Sequence, residues 1–172
     1  HDIEMSQLEC ETTPNRRLYL TPEGKYYPSV TTVLSAQSKP GLDAWREKVG
    51  EKEATRIMKS SARRGTAVHL MCEDYLKNND DYVVGHMPTN VFMFQSIKET
   101  LDIRLDNIWY QETSLYSDHL RTAGTVDCIA EFDGELSIID FKTSRGQKRR
   151  DWITTYFQQE AFYAVAFEER TN

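Results

Sequence analysis

The chain has 172 residues, of which 39% are hydrophobic and 11% aromatic, and its formal net charge is −6 at pH 7. This length suits one soluble globular domain, and no stretch approaches the roughly 18 consecutive apolar residues of a membrane span, so we expect no membrane partner. The acidic balance argues against a protein that coats nucleic acid without specificity, because such proteins are normally basic.

The N-terminal segment alternates short β-prone runs with turn signals. Leu18–Leu20 and Tyr26–Tyr27 are predicted to pair as a small hairpin across Pro22–Gly24. The next run, residues 30–34, fits either an extended segment or a helix. Hydroxyl side chains accompany this run at Ser29, Thr31 and Thr32. They would cap a helix if one begins here.

Helical spacing of apolar residues follows after a predicted break in the chain. Pro40-Gly41 predicts that break, because proline and glycine both disfavour a helix interior. Leu42–Met58 then has helical spacing, and Gly50 divides it into two helices. Ser60 or Ser61 is expected to cap the helix that comes next.

The helix predicted over Ala62–Lys77 carries chemistry on one face. Gly65, His69 and Glu73 are spaced four residues apart, so their side-chain positions lie one above another. A single histidine on a helix is either a hydrogen-bonded structural residue or a ligand. If His69 is a ligand, Glu73, one turn away, would orient His69 or a metal-bound water.

Two further helices are predicted, over Val91–Leu101 and over Asp151–Glu169. The last helix has one continuous stripe formed by Trp152, Tyr156, Gln159, Tyr163 and Phe167. We expect Trp152 and Phe167 to face the core. Gln159 fits the edge of a polar site better, because a buried amide needs hydrogen-bond partners.

Three β-prone runs lie between these two helices, over residues 107–116, 120–132 and 135–143. The last two carry apolar residues on both faces, which predicts a sheet covered on both sides, as in an α/β sandwich. Glu112 lies on the first run. It is either a residue of the strand surface or one that faces a site.

The last two strands are joined by Asp133-Gly134, a strong signal for a two-residue hairpin turn. With that turn, Asp127 lies directly opposite Asp140, and Lys142 projects from the same face as Asp140. Two like charges at such a distance repel and destabilise a sheet, unless a cation lies between them. The hairpin therefore predicts a divalent metal site with a lysine beside it.

The cysteines Cys10, Cys72 and Cys128 are scattered and form no C-x-x-C pair. The sequence thus indicates neither a zinc site nor a disulfide framework. An iron–sulfur cluster held by thiolates needs four cysteines, so we expect none in this chain.

Five motifs in order resemble the PD-(D/E)xK nuclease superfamily, in its RecB-like exonuclease branch, which includes the mitochondrial genome maintenance exonucleases and phage relatives. The strand motif with its aspartate is Gly124-Thr125-Val126-Asp127, and the next strand ends in Asp140-Phe141-Lys142. The other three motifs are Tyr27-Pro28-Ser29-Val30-Thr31, Arg64-Gly65-Thr66 leading to His69 and Glu73, and Gln159-x-x-x-Tyr163. Together they span residues 27–163.

This resemblance implies an α/β fold with a restriction-endonuclease-like core, in which helices flank a central mixed sheet. Residues 1–60 would form an N-terminal helical extension, and residues 61–172 the catalytic core of a single nuclease domain. In the family another strand normally follows the last helix. Because the sequence stops at Asn172, we expect that strand to be absent or the chain to be a fragment.

The resemblance also implies roles for individual residues. Asp127, Asp140, the carbonyl of Phe141 and His69 would hold one or two Mg²⁺ or Mn²⁺ ions. Glu73 would orient His69 or a metal-bound water without binding the metal itself. The catalytic residues would be Asp127, Asp140, Lys142 and Gln159.

Contacts to substrate phosphates are implied for Ser29, Thr32, Arg64, Ser144 and Tyr163. A basic cluster follows the second strand of the hairpin, at Arg145, Lys148, Arg149 and Arg150. It is either a solvated loop or part of the surface that contacts the substrate.

The activity implied is that of a metal-dependent DNA exonuclease acting on single-stranded ends, in replication, repair or recombination. Such an enzyme would work inside a bacterial or phage-infected cell, in the cytoplasm. A structure-specific endonuclease would share the same metal site, and a catalytically inactive module would bind nucleic acid without cutting it. The direction of digestion and the oligomeric state do not follow from the sequence.

Overall fold

The computed structural model describes residues 5–14, 16–144, 146 and 148–171. Six strands and four helices follow one another as β1 (Glu9–Thr12), β2 (Arg17–Leu20), β3 (Tyr26–Pro28), α1 (Val30–Val49), α2 (Glu51–Leu76), α3 (Pro88–Arg104), β4 (Leu105–Ser117), β5 (Thr122–Phe132), β6 (Glu135–Ile139) and α4 (Thr154–Thr171), with a 3₁₀ turn over Arg150–Trp152 before α4. Among these helices, none has a stretch long and apolar enough to span a bilayer.

The N-terminal segment forms an antiparallel sheet in the order β1-β2-β3. The predicted hairpin is confirmed, because Tyr19 pairs with Tyr27 and Leu20 pairs with Tyr26. The open question over residues 30–34 is resolved as a helix, the first turn of α1, and Ser29 caps it by accepting a hydrogen bond from the Thr32 N–H at 3.0 Å. The expected helical extension therefore also contains a three-stranded sheet.

Helices α1 and α2 are longer than the sequence predicts. The break at Gly50 is confirmed, and its φ of +85° is one that glycine adopts without strain. The break at Pro40-Gly41 is wrong, because α1 runs through both residues at the cost of one backbone N–H donor. The cap at Ser60 or Ser61 is wrong too: both serines lie inside α2, where serine is only mildly unfavourable.

The central sheet has the antiparallel order β4-β5-β6, so the expected mixed sheet is not seen among the described strands. One isolated parallel bridge, between Ser29 and Ala123, links the N-terminal region to β5. The turn between β5 and β6 has positive φ at Asp133 (54°) and Gly134 (82°), the backbone of a type I′ hairpin. Phe132 pairs with Glu135 as predicted.

Helices cover the central sheet through two apolar clusters, as an α/β sandwich requires. The first cluster joins α1 and α4 to β4 and β5, and Phe162 and Tyr163 of α4 belong to it. The second joins α2 and α3 and packs against Phe141, just beyond β6. Phe167 is buried as predicted, whereas Trp152 is 66% exposed. The prediction for Trp152 is wrong because this residue lies in the 3₁₀ turn before α4 begins.

Candidate active site

The register of the central sheet brings three carboxylates into one row, one from β4, one from β5 and one from the residue that follows β6. Cys128–Ile139 is the last pair of β5 and β6, and one step further in the same register sets Asp127 opposite Asp140. The pairs Gln111–Cys128 and Thr113–Val126 flank Glu112 and set it opposite Asp127 on the other side. Asp127 of the middle strand therefore has an acidic residue on each side. The predicted β5–β6 register is confirmed as far as Cys128–Ile139, although the strand predicted to run to residue 143 ends at Ile139.

Glu112 has an unusual backbone conformation for a strand residue. Its φ is +46°, in the left-handed region that side chains other than glycine rarely adopt. The Gln7 side-chain amide donates a hydrogen bond to the Glu112 carbonyl at 2.6 Å, which helps to hold this conformation. Strained residues of this kind cluster at functional sites.

Helix α2 brings a histidine to the acidic row. The His69 Nδ1 atom lies 3.3 Å from Asp127 Oδ2, and the His69 ring stands edge-on to Phe141, with 6.1 Å between ring centroids. His69, Glu112 and Asp127 each offer one ligand atom, and these atoms all lie within 4.8 Å of one another. These three residues could therefore hold a metal ion.

Burial and neighbouring charges shift the pKa values of the carboxylates in this row. Burial raises the pKa of Asp127 most, and nearby Asp140 raises it further, whereas His69, the Phe141 N–H and Lys142 lower it. That N–H donates to Asp127 Oδ2 at 2.8 Å. Burial likewise raises the pKa of Glu112, with smaller contributions from Asp127 and Glu73. A cation bound between the two carboxylates would oppose this rise, because it favours their charged form.

Asp140 has a different set of partners from Asp127. Its side chain is 2% exposed and forms an ion pair with Lys142, which is one-third exposed. The Gln159 Nε2 atom donates to Asp140 Oδ1 at 3.2 Å, so the buried amide of Gln159 has a polar partner, as its position in an aromatic stripe predicted. Asp140, Lys142 and Gln159 thus form one connected group at one end of the row, and among the described residues the clustered ligand atoms are those of His69, Glu112 and Asp127 rather than of Asp140.

The presence of glycine at the first position of the Gly124-Thr125-Val126-Asp127 motif has a steric explanation. A Cβ atom added at Gly124 would lie 2.8 Å from the Tyr163 hydroxyl oxygen and 2.9 Å from its Cε1 atom. Tyr163 donates a hydrogen bond to the Thr125 carbonyl at 2.7 Å and is 2% exposed. The structure therefore places Tyr163 against the backbone of β5, two residues before Asp127.

The remaining predicted contacts lie away from the acidic row or have other partners. Ser29 is buried and its hydroxyl is engaged with Thr31 and Thr32 at the start of α1. Glu73 forms an ion pair with Lys77. The Ser144 hydroxyl donates to the Gly146 carbonyl at 2.6 Å.

Arg64 of α2 donates to the Ser61 hydroxyl at 3.3 Å. It lines a groove together with Arg56, Lys59 and Arg63, so four cations share this face. Arg145 of the predicted basic cluster lies outside the described residues.

Glu112 is the residue of the row that the sequence left undecided. Its position opposite Asp127 depends on the β4–β5 register, which is constant from Ser117–Thr122 to Tyr110–Ile129 and follows a four-residue connection without a two-residue hairpin signal. The only local signal was an acidic residue within a β-prone run, and that pattern is common on exposed strand surfaces.

No family model matches the chain. Three curated relatives are similar to it, and all are named mitochondrial genome maintenance exonuclease 1. The mouse protein is 26% identical over 70% of this chain, the Xenopus tropicalis protein 26% over 84%, and the human protein 25% over 98%. The chain spans 38–52% of the length of these relatives. Its similarity is therefore distant, and it is to proteins named for exonuclease activity.

Proposed function

We propose that this chain is a metal-dependent deoxyribonuclease of the PD-(D/E)xK type, an exonuclease that hydrolyses phosphodiester bonds from free ends of single-stranded DNA. The observation that carries the proposal is the row Glu112, Asp127 and Asp140 with His69 and Lys142 beside it. The distant similarity to proteins named exonuclease supports the same activity.

The residues present fit a divalent cation. Carboxylate oxygens suit hard cations such as Mg²⁺ and Mn²⁺, and an imidazole nitrogen is also a common ligand. His69, Glu112 and Asp127 would hold the ion, and the Asp140 carboxylate and the Phe141 carbonyl are proposed as its further ligands. Such an ion would supply Lewis-acid stabilisation of the negative charge that develops on a phosphate during hydrolysis.

The chain's own residues would prepare this chemistry. The Phe141 N–H and His69 hold Asp127 in place from two directions. Gln159 fixes Asp140, and Asp140 fixes the Lys142 ammonium at the edge of the site. The exposed part of Lys142 would face a bound phosphate, where a positive charge stabilises a developing negative one.

The test is digestion of end-labelled linear and circular single-stranded DNA with Mg²⁺, with Mn²⁺ and with EDTA. We expect metal-dependent loss of the linear form alone. Cutting of the circle would instead indicate an endonuclease that shares this site. Asp127→Asn should lose cleavage while remaining folded, and Asp43→Asn, an exposed carboxylate on α1, is the matched control. An unchanged rate in Asp127→Asn would contradict the proposal.

A further inference from the structure

Three aromatic side chains crowd the segment that enters α4. Trp152 is 66% exposed and Phe157 is 45% exposed, and Tyr156 lies between them in sequence. Large aromatic rings on a surface lose the stabilisation that burial provides. A group of exposed rings in one segment therefore indicates a ligand-binding surface.

Each of these rings has a cation near it. Arg149 Cζ lies 5.6 Å from the centroid of Trp152, and Arg150 Cζ lies 5.7 Å from that of Phe157. Lys148 Nζ lies 4.8 Å from the centroid of Tyr156. The three consecutive cations 148–150 thus each lie near a different ring of this segment.

The aromatic segment is continuous with the candidate active site. Lys142 Nζ lies 5.6 Å from the Tyr156 centroid. A groove of about 520 Å³ is lined by Tyr156 and Phe157 together with Asp140 and Lys142. A ligand that reaches Lys142 through this groove must pass the aromatic rings.

The aromatic part of the groove suits an uncharged flat group. Its walls are mostly apolar, and Glu160 also lines it. Burial raises the pKa of Glu160, and Asp140 raises it further, whereas Lys142 lowers it. Glu160 disfavours an anion at the aromatic wall of the groove but not a nucleobase, whereas Lys142 elsewhere in its lining can pair with a phosphate. Lys148, Arg149 and Arg150 are exposed, and we expect the phosphates of a bound strand to contact them.

We propose that Trp152, Tyr156 and Phe157 form a stacking platform for unpaired bases of single-stranded DNA whose backbone reaches Lys142. The inference rests on the proposed function and specifies how the substrate is held. Stacked bases and cation-contacted phosphates are the two features by which proteins bind single strands. The platform selects unpaired bases, because only these expose a free face to a ring.

The experiment compares binding of two labelled 20-mers, oligothymidylate and a wholly abasic chain with the same phosphates, by fluorescence anisotropy in EDTA. The wild type should bind the thymidine chain more tightly. Phe157→Ala and Trp152→Ala should each weaken that binding about fivefold or more and leave abasic binding unchanged. Tyr26→Ala, which removes a 60%-exposed ring from β3, is the control and should bind both chains like the wild type.

Two results would overturn the platform: equal loss on both oligonucleotides, which would place the effect on phosphate contacts, or no loss in either variant. Phe157→Leu refines the comparison, since leucine keeps an apolar side chain but cannot stack, and it should behave like Phe157→Ala. Because binding is measured without metal, it does not depend on cleavage. Digestion of the thymidine 20-mer by the wild type with Mn²⁺ tests the proposed function separately.

Discussion

Gly124→Ala is expected to destabilise the fold at the strand that carries Asp127. The added methyl group would lie 2.8 Å from the Tyr163 hydroxyl oxygen and 2.9 Å from Cε1, whereas ordinary van der Waals contacts lie near 3.5–4.0 Å. Tyr163 cannot swing into solvent, because it is 2% exposed and packs against Phe162 in the core. The ring or the strand must therefore move by several tenths of an ångström.

The magnitude follows from two contributions. Overpacking of a well-packed core typically costs about 1–3 kcal/mol. Displacement of the ring also loosens the hydrogen bond from Tyr163 to the Thr125 carbonyl, worth about 0.5–1.5 kcal/mol. We expect a loss of about 2–4 kcal/mol in the free energy of unfolding, which lowers Tm by roughly 5–15 °C in a domain of this size.

Urea unfolding followed by circular dichroism measures this change. Gly41→Ala is the matched control: a Cβ there meets nothing within 4 Å, and alanine in a helix is favoured over glycine by about 1 kcal/mol. The double variant Gly124→Ala with Tyr163→Phe removes the closest atom and should recover part of the loss. Strictly additive effects of the two substitutions, or a Gly124→Ala variant as stable as the wild type, would refute the steric argument.

Three further predictions concern the charges of the site. Glu112→Gln removes one of three crowded carboxylates, so thermal melts should show a higher Tm without metal and a smaller increase on adding Mn²⁺; an unchanged response to Mn²⁺ would exclude Glu112 as a ligand. Burial raises the pKa values of Asp127 and Glu112 in the folded state. Their contribution to metal-free stability is therefore complete below the ordinary carboxyl pKa and is lost as pH rises through the raised values. Urea unfolding over a pH series should show this fall in stability, and Asp127→Asn should make the pH dependence flatter. Lys142→Ala should lower the cleavage rate about 10²–10³-fold, and Lys39→Ala, on α1, should not; equal rates in the two variants would remove Lys142 from the mechanism.

The hairpin was predictable because its geometry is local. Asp133-Gly134 adopts the positive φ angles of a two-residue turn, and this turn fixes which residues face each other. Strand periodicity then carries the pairing out to Asp127 and Asp140 without any further information. A single turn signal therefore determined the geometry of two site residues.

Glu112 and Trp152 show where local patterns stop being sufficient. The β4–β5 register that sets Glu112 opposite Asp127 follows a four-residue connection, residues 118–121, which carries no two-residue hairpin signal, so the partner of Glu112 does not follow from the sequence. Trp152 follows the helical spacing of α4 in sequence, but the helix begins only at Thr154. In both cases the side-chain direction depends on where a strand or helix begins or ends, and a single sequence defines these boundaries poorly.

The distribution of compensating charges indicates which side of Asp127 gains most from a cation. On the β6 side, Lys142 already pairs with Asp140. On the β4 side, the group that lies beside both Glu112 and Asp127 is His69, and an imidazole compensates negative charge only when it is protonated. The uncompensated charge therefore lies between β4 and β5, and a cation bound there relieves more repulsion than one between Asp127 and Asp140. Asp127 lies between Glu112 and Asp140, so a cation on the β4 side also stabilises the ionised form of Asp127 next to Asp140. Metal binding is thereby coupled to the Asp140–Lys142–Gln159 group.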